Sequence, residues 1–102
     1  MTDLIEFKIR EPIKCSNGLQ LSVQASKNHY CIPKNDEGPY SHVEVYSYNL
    51  LIPNWNNPIH GYNSITGIPE HVTYYNVPVQ RLLDLLYTSG GIVSGNLPKI
   101  VL

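Results

Sequence analysis

The sequence predicts an α+β domain in which an antiparallel sheet of about four strands carries one amphipathic helix on its apolar face. Three observations support this fold class. Runs of alternating apolar and polar residues dominate the first half of the chain. One later segment changes to the period of a helix. The chain has 102 residues, of which 42% are hydrophobic, and this suits a single domain over residues 1–102.

The first predicted strands form a hairpin. Residues 4–10 ("LIEFKIR") and 19–25 ("LQLSVQA") alternate strictly, and Asn17–Gly18 between them favours a tight turn with positive φ. In the second strand, the apolar positions are predicted to face the core: Leu19, Leu21, Val23 and Ala25.

A further strand is predicted over residues 40–49, after the turn-rich segment "PKNDEGP" at 33–39. Val43 and Val45 are expected to face the core. The same alternation directs the other side chains outward: Tyr40, His42, Glu44, Tyr46 and Tyr48.

Residues 50–71 predict a long loop, because they hold three prolines, two glycines and four asparagines without a clear period. Loops of this kind often carry function. Trp55 within it either covers the core or contacts a partner, and the gain from burying its ring favours the cover.

The helix is predicted directly after the β-prone run "HVTYYNV" at 71–77. Pro78 suits its first position, and Gly90–Gly91 suit its end. One face is apolar at helical spacing: Val79, Leu82, Leu83 and Leu86. The tail "IVSGNLPKIVL" is expected to add an edge strand or to pack back loosely.

Composition excludes several classes of protein. The net charge of −1 and the pI near 6.4 argue against binding of a nucleic-acid backbone and against an acidic mimic of one. The apolar runs are too short to span a bilayer, and the N-terminus lacks a secretory pattern, so we expect an intracellular protein. Cys15 and Cys31 are therefore expected to be reduced and structural.

The segment 22–45 concentrates residues that bind metals or carry out catalysis. His29, Cys31, His42 and Glu44 would offer zinc ligands if a bulge near Lys27–Asn28 brought them to one face. Unbroken alternation instead places the two pairs on opposite faces, so the sequence predicts no metal site.

The same segment gives little support for an enzyme. We considered Cys31 and His29 as a nucleophile and its base, with Asp36 nearby as the orienting group. No hydrolase motif accompanies them. Gly90 and Gly91 follow a helix and do not precede one, which argues against a phosphate-binding loop. We therefore predict no catalytic residue and no cofactor.

The chain contains eight tyrosines but one Phe and one Trp. Tyrosine combines an apolar ring with a hydroxyl that prefers water or a partner, so this excess indicates half-exposed positions at an interface. The open alternative is a sheet face covered by another part of the same chain, such as residues 50–71. The predicted partner-binding residues are Tyr40, His42, Glu44, Tyr46, Tyr48, Asp36, Glu37 and Trp55.

Two segments, "VQASKNHYCIPKNDEGPYSHVEV" (23–45) and "NVPVQRLLDLLYTSGGI" (76–92), resemble a set of small uncharacterised proteins of bacteriophages and prophages. Gln80 stands where an acidic residue is common in that set, and Ser89 where histidine is common. The resemblance implies a phage accessory role in the host cytoplasm, and it implies no catalytic residue.

Together these features lead us to expect a non-enzymatic phage protein that binds and inhibits a host bacterial protein, such as a component of anti-phage defence. The alternative is a homo-oligomer that binds or sequesters a small ligand such as a nucleotide, with Lys27, Lys34 and Arg81 as cationic contacts. A structural or packaging role is a third alternative. Neither a membrane nor a nucleic acid is expected as a direct partner.

Overall fold

Antiparallel strands dominate the structure, a computed structural model that describes residues 10–48, 55, 59–62 and 69–101 and the side chains of all these except 59–62 and 69–71. Helix α1 spans Val79–Thr88. The strands are β1 (Ile13–Cys15), β2 (Gln20–Gln24), β3 (His42–Ser47), β4 (Ile59–Tyr62), β5 (Pro69–Pro78) and β6 (Ile92–Ser94).

The described strands form one six-stranded sheet in the order β4-β5-β3-β2-β1-β6. Every pairing between these strands is antiparallel. The α+β class is therefore confirmed. The prediction of about four strands is too low, because β4 and β6 also pair at the two edges of the sheet.

Alternation along the central strands builds the core as predicted. Leu21 and Val23 on β2, and Val43 and Val45 on β3, are fully buried, and β3 alternates regularly between half-buried and buried positions. Successive side chains of a strand point to opposite faces, so these four share the inner face.

Helix α1 packs its apolar side onto that inner face. Leu82 and Leu86 are buried in the same cluster as the apolar residues of the sheet, and Val79 packs against this cluster. Pro78, predicted as the first helical residue, instead caps the helix with an extended ψ of 134°. The helix ends as predicted: Gly91 has a φ of +86° and its N–H donates to the carbonyl of Leu86 at 2.9 Å.

The hairpin turn at Asn17–Gly18 is confirmed, with a φ of +96° at Gly18. Its first strand is β1, which follows Pro12. The strand predicted over 4–10 lies outside the described residues except for Arg10. There, the backbone N–H of Arg10 donates to Gln24 Oε1, and Gln24 Nε2 donates to the carbonyl of Arg10, both at 3.0 Å.

The prediction of a loop over residues 50–71 is wrong in two places. Residues 59–62 form β4, and β5 begins at Pro69. Ile59 pairs with Thr73, and His60 pairs with Val72. Strand pairing overrides weak local propensity, which explains why a glycine-containing segment joins the sheet. The remainder of the predicted loop, apart from Trp55, lies outside the described residues.

The C-terminal tail contributes pairing at two places. Of the two alternatives expected for the tail, the edge strand is confirmed. This strand is β6, and it pairs with β1 through Lys14 and Ser94. Further along, the N–H of Tyr40 donates to the carbonyl of Lys99 at 2.8 Å, and the N–H of Val101 donates to the carbonyl of Tyr40 at 2.9 Å. The tail therefore joins the sheet edge to the segment that precedes β3.

Of the helices in the described residues, none combines the length and the apolar character that crossing a membrane requires.

Candidate functional site

A β-bulge shapes the outer face of the sheet. Val43 pairs with Val77, and Val45 pairs with Tyr74, so β5 has two residues, Tyr75 and Asn76, where β3 has one. Asn76 adopts a left-handed φ of +51°, a conformation that asparagine tolerates better than most residues. The extra residue returns Val77 to the core while Tyr75 stays on the outer face.

Two tyrosine rings stack beside this bulge. The rings of Tyr30 and Tyr75 are 4.1 Å apart between centroids and inclined by 22°, and both are exposed, at 48% and 40%. Backbone contacts fix them, because Asn76 N–H donates to the carbonyl of Tyr30 and Tyr30 N–H donates to Glu44 Oε1, each at 3.1 Å. Lys34 Nζ lies 4.9 Å from the Tyr30 ring centroid, in cation–π range.

A second aromatic contact extends the same face along β3. The half-buried Tyr46 meets the exposed Tyr48 edge to face, with centroids 4.8 Å apart. His42 is half-buried at the start of the strand, with Nδ1 2.8 Å from Ser41 Oγ. We call this set the tyrosine surface: Tyr30, His42, Glu44, Tyr46, Tyr48 and Tyr75.

The outward prediction for β3 is confirmed for four residues and wrong for one. His42, Glu44 and Tyr46 occupy the outer positions, and Tyr48 follows them exposed. Tyr40 is only 1% exposed and its hydroxyl donates to the carbonyl of Asn35 at 2.7 Å. The strand begins at His42, so the alternation does not extend back to Tyr40. Burial raises the pKa of its phenol.

The loop at 33–39 is held by its own polar residues. Asn35 Oδ1 accepts hydrogen bonds from the N–H groups of Glu37 and Gly38, at 3.0 and 2.9 Å. Asp36 Oδ1 accepts from the N–H of Lys27 at 2.9 Å, and their side chains form an exposed ion pair at 4.0 Å. Asp36 and Glu37, both predicted partner contacts, are exposed, and Lys34 of the same loop reaches Tyr30.

The chain turns after β2 and does not continue as a strand. Ser26 Oγ lies 2.7 Å from His29 Nδ1 and accepts from the N–H of Asn28 at 3.0 Å, while His29 N–H donates to the carbonyl of Ser26. Cys31 is buried, and its thiol donates to that same carbonyl at 3.1 Å. These short-range hydrogen bonds close the turn and pair the polar groups of Ser26, His29 and Cys31 with one another.

Metal-ligating residues do not converge where the structure can be described. Among the side chains that the structure describes, no three from His, Cys, Asp or Glu form a group that fits an ion. Cys15 and Cys31 are both buried as free thiols. Burial also raises the pKa of the Cys15 thiol, which reduces its thiolate fraction at neutral pH.

An open cleft of about 240 Å³ adjoins the tyrosine surface at the start of α1. It is lined by Trp55, Tyr74, Tyr75, Asn76, Val77, Pro78 and Arg81. Trp55 packs against the core and meets Tyr74 edge to face at 5.1 Å, which agrees with its interpretation as a cover. Tyr75 belongs to both the cleft and the tyrosine surface, so the two sites are continuous.

Arg81 supplies the positive charge of this cleft. Its side chain is exposed, and among the described side chains no carboxylate lies within 4.0 Å of it. Asp84, one turn along the helix, instead accepts a hydrogen bond from Gln80 Nε2 at 2.9 Å. None of the described residues that line the cleft is acidic, so they favour an anionic group.

Sequence reasoning missed Tyr30 and Tyr75 as surface residues. The signal for Tyr75 lies in the run "VTYYNV" (72–77), where Val72, Tyr74 and Val77 face one side only if one extra residue is inserted before Val77. An asparagine just before Val77 is the residue type that such an insertion prefers.

No family model, no curated protein and no solved structure matches this chain. Its class is accordingly given by its own architecture. In the part of the chain that the structure describes, it is a small α+β protein with an antiparallel sheet, one helix, and an exposed aromatic surface beside a cationic cleft.

Proposed function

We propose that this chain is a non-enzymatic phage accessory protein that binds and inhibits a host bacterial protein in the cytoplasm, such as a component of anti-phage defence. The observation that carries the proposal is the stacked, exposed pair Tyr30–Tyr75, continued by the exposed Tyr48. Tyrosine is enriched where proteins meet, and its ring contributes a large contact area.

The aromatic rings are held in place before any partner arrives. Tyr30 is fixed by its stacking on Tyr75 and by its bond to Glu44, and Tyr48 by its contact with Tyr46. A surface whose side chains are already ordered loses less conformational entropy on binding, so more of the contact energy contributes to affinity.

The resemblance to small phage and prophage proteins supports the setting. It covers 23–45 and 76–92, which include three of the six residues of the tyrosine surface (Tyr30, His42 and Glu44) and the asparagine of the bulge. Small accessory proteins of phages commonly act by occluding a host protein, which is an argument by association.

The proposal is tested by affinity capture from host lysate with quantitative mass spectrometry. We expect Tyr48→Ala and Tyr75→Ala each to reduce recovery of the partner at least tenfold, because truncating an interface anchor typically costs about 2 kcal/mol or more. The matched control is Tyr87→Ala, since Tyr87 is 85% exposed on α1 and outside the tyrosine surface.

Two results would refute this surface. One is full recovery of the partner by both variants while their circular dichroism matches the parent protein. The other is an equal loss of recovery in Tyr87→Ala. Inhibition is then measured on the purified partner, and Tyr75→Ala is expected to relieve it in proportion to the lost binding.

The second candidate function is sequestration of a small ligand such as a nucleotide by a homo-oligomer. The cleft favours it, because Trp55 and Tyr75 offer rings for stacking a base and Arg81 offers a cation for a phosphate. The cleft is smaller than the roughly 300–1,000 Å³ of typical small-molecule pockets, so a second copy of the chain would have to complete it.

Native mass spectrometry of the protein purified from infected cells separates the two candidates. A small molecule that remains bound to an oligomer supports sequestration. A host protein bound in fixed stoichiometry supports inhibition.

A further inference from the structure

We infer that Asn17 is a site of spontaneous deamidation, and that contact with the end of α1 protects it while the protein is folded. The site lies in the turn between β1 and β2, which contains the sequence Asn17–Gly18. The reaction consumes only water, and it makes a local opening of this turn irreversible. It requires no partner and so goes beyond the proposed function.

The chemistry follows from the two residues of the turn. The backbone nitrogen of Gly18 attacks the side-chain Cγ of Asn17, and a new N–C bond closes a cyclic imide. The bond between Cγ and Nδ2 breaks, and ammonia leaves with the proton of the Gly18 N–H. Water then opens the imide at either carbonyl, which leaves aspartate or isoaspartate. Glycine favours the attack because it has no side chain to hinder it and a freely adjusting backbone.

Solvent has access to this turn. Asn17 and Gly18 are both exposed, and a Cβ at Gly18 would meet no atom within 4 Å. The water that opens the imide can therefore reach it, and the surrounding space accommodates the ring.

The folded turn holds the reacting groups in other hydrogen bonds. The N–H of Gly18 donates to the carbonyl of Cys15 at 3.0 Å, so the nucleophile is occupied. Asn17 Oδ1 accepts from the N–H of Leu19 at 3.0 Å, which holds the side-chain amide in place. The attack therefore requires the turn to open, and a local opening has its own free energy, at or below that of global unfolding.

The end of α1 holds the turn closed. Ser16 N–H donates to the carbonyl of Gly91, and Asn17 N–H donates to the carbonyl of Ser89, each at 3.1 Å. We call these two hydrogen bonds the helix-end contact. Ser89 is buried, and its own N–H donates to the carbonyl of Leu85 on α1 at 3.0 Å. Because the contact joins the turn to a packed helix, the turn opens less readily than that of an isolated hairpin.

The isoaspartate product does not fit the closed turn. In isoaspartate the main chain runs through the side-chain carbonyl, which lengthens it by one methylene group. The hydrogen bond from Cys15 N–H to the carbonyl of Leu19, at 2.8 Å, spans this point. Since turn geometry fixes the register of a hairpin, a chain that has reacted while open does not restore this bond.

The test compares deamidation of Asn17 in the folded and the unfolded protein. The purified chain is incubated in water enriched in heavy oxygen at mildly alkaline pH, with and without denaturing guanidinium chloride. Digestion and mass spectrometry then measure how much Asn17 has replaced its amide nitrogen with heavy oxygen. We expect the folded protein to react at least about tenfold more slowly, because reaction of an opened segment follows the population of the open form.

Asn35 is the control within the same chain. Its Oδ1 accepts from the N–H two residues later, that of Glu37, at 3.0 Å, as Asn17 Oδ1 does from Leu19. The residue that follows it is Asp36, whose side chain hinders the attack. We therefore expect Asn35 to remain largely unreacted in guanidinium chloride while Asn17 reacts.

Gly90→Ala tests the helix-end contact. A Cβ at Gly90 would lie 2.8 Å from Ser16 Cβ, so the added methyl group pushes the turn away from the helix end. Gly91→Ala is the matched control, because its φ of +86° is close to the +90° of Gly90 and a Cβ there meets nothing within 4 Å. We expect deamidation of Asn17 in folded Gly90→Ala to be at least about threefold faster than in folded Gly91→Ala.

The inference is overturned if Asn17 reacts as fast in the folded parent protein as in guanidinium chloride, or if it does not react in guanidinium chloride. Equal rates in Gly90→Ala and Gly91→Ala, with circular dichroism showing both folded, also overturn it. So does an unfolded-state rate at Asn35 equal to that at Asn17. The comparison of folded and unfolded parent protein holds even if Gly90→Ala does not fold.

Discussion

At the scale of single residues, Asn76 decides how the outer face is built. It holds the only left-handed φ of a non-glycine residue in the described ranges, and its N–H anchors the segment that carries Tyr30. Glycine adopts this conformation freely, whereas a β-branched side chain is strained there by roughly 1–2 kcal/mol.

Substitutions at Asn76 therefore separate backbone strain from side-chain chemistry. We expect Asn76→Val to lower the free energy of unfolding by roughly 1–2 kcal/mol, and Asn76→Gly to change it by less than about 0.5 kcal/mol. Urea denaturation followed by circular dichroism measures both. Equal losses in the two variants would show that the left-handed backbone is not the cause.

The phenol of Tyr40 makes the stability of the protein depend on pH. Burial raises its pKa above the ordinary value of 10.0, and burial likewise raises the pKa of the Cys15 thiol above 9.0. The unfolded chain therefore releases these protons at lower pH than the folded one. Stability that is present below pH 9.0 is lost as the pH rises through the pKa values that the two groups have in the folded protein.

We accordingly expect the free energy of unfolding to fall at alkaline pH. Tyr40→Phe should flatten the part of this fall that lies above pH 10.0. At neutral pH the same variant should lose roughly 0.5–1.5 kcal/mol with the hydrogen bond to Asn35. Denaturation curves across this pH range test both effects, and an unchanged alkaline slope in the variant would contradict the assignment.

At the scale of elements, the central strands and the helix could be predicted from the sequence because their periods are regular. In β2 and β3, buried residues such as Leu21, Val23 and Val45 alternate without interruption with less buried ones. β4 could not be predicted, because its four residues belong to a sheet edge whose pairing is not local. The bulge at Tyr75–Asn76 was hidden for a related reason: a strict count of alternation does not allow for an inserted residue.

The pairing of β6 with β1 depends on Gly95. A Cβ at this position would contact the carbonyl oxygen of Pro12 and lie 2.6 Å from Ile13 Cα. Gly18 is a matched control, because its φ of +96° is close to the +104° of Gly95 and a Cβ there meets nothing within 4 Å. We expect Gly95→Ala to cost roughly 1–3 kcal/mol more than Gly18→Ala, as measured by urea denaturation. Similar costs for the two would contradict the steric reason.

At the scale of the whole molecule, the tail closes the fold at two separate points. It adds β6 to the edge of the sheet and pairs with both backbone groups of Tyr40. Leu97 and Ile100 also pack against the core. The last residues of the chain thus contribute to the core as well as to the sheet.

Removal of residues 92–102 should consequently destabilise the entire domain. The loss of the tail bonds at Tyr40 and of the apolar burial by Leu97 and Ile100 amounts to roughly 3–6 kcal/mol, a large fraction of the stability of a typical domain. We expect a much lower denaturation midpoint measured by circular dichroism. A truncated chain with the parent's midpoint would show that the tail is dispensable.

The bulge at Tyr75–Asn76 also determines on which side of the sheet the chain leaves β5 to begin α1. If β5 continued in unbroken alternation past Tyr75, Asn76 would lie opposite Val43 and face the core, and Val77 would turn toward water. The first turn of α1 would then start from the opposite side of the sheet, so a single inserted residue determines where the helix packs.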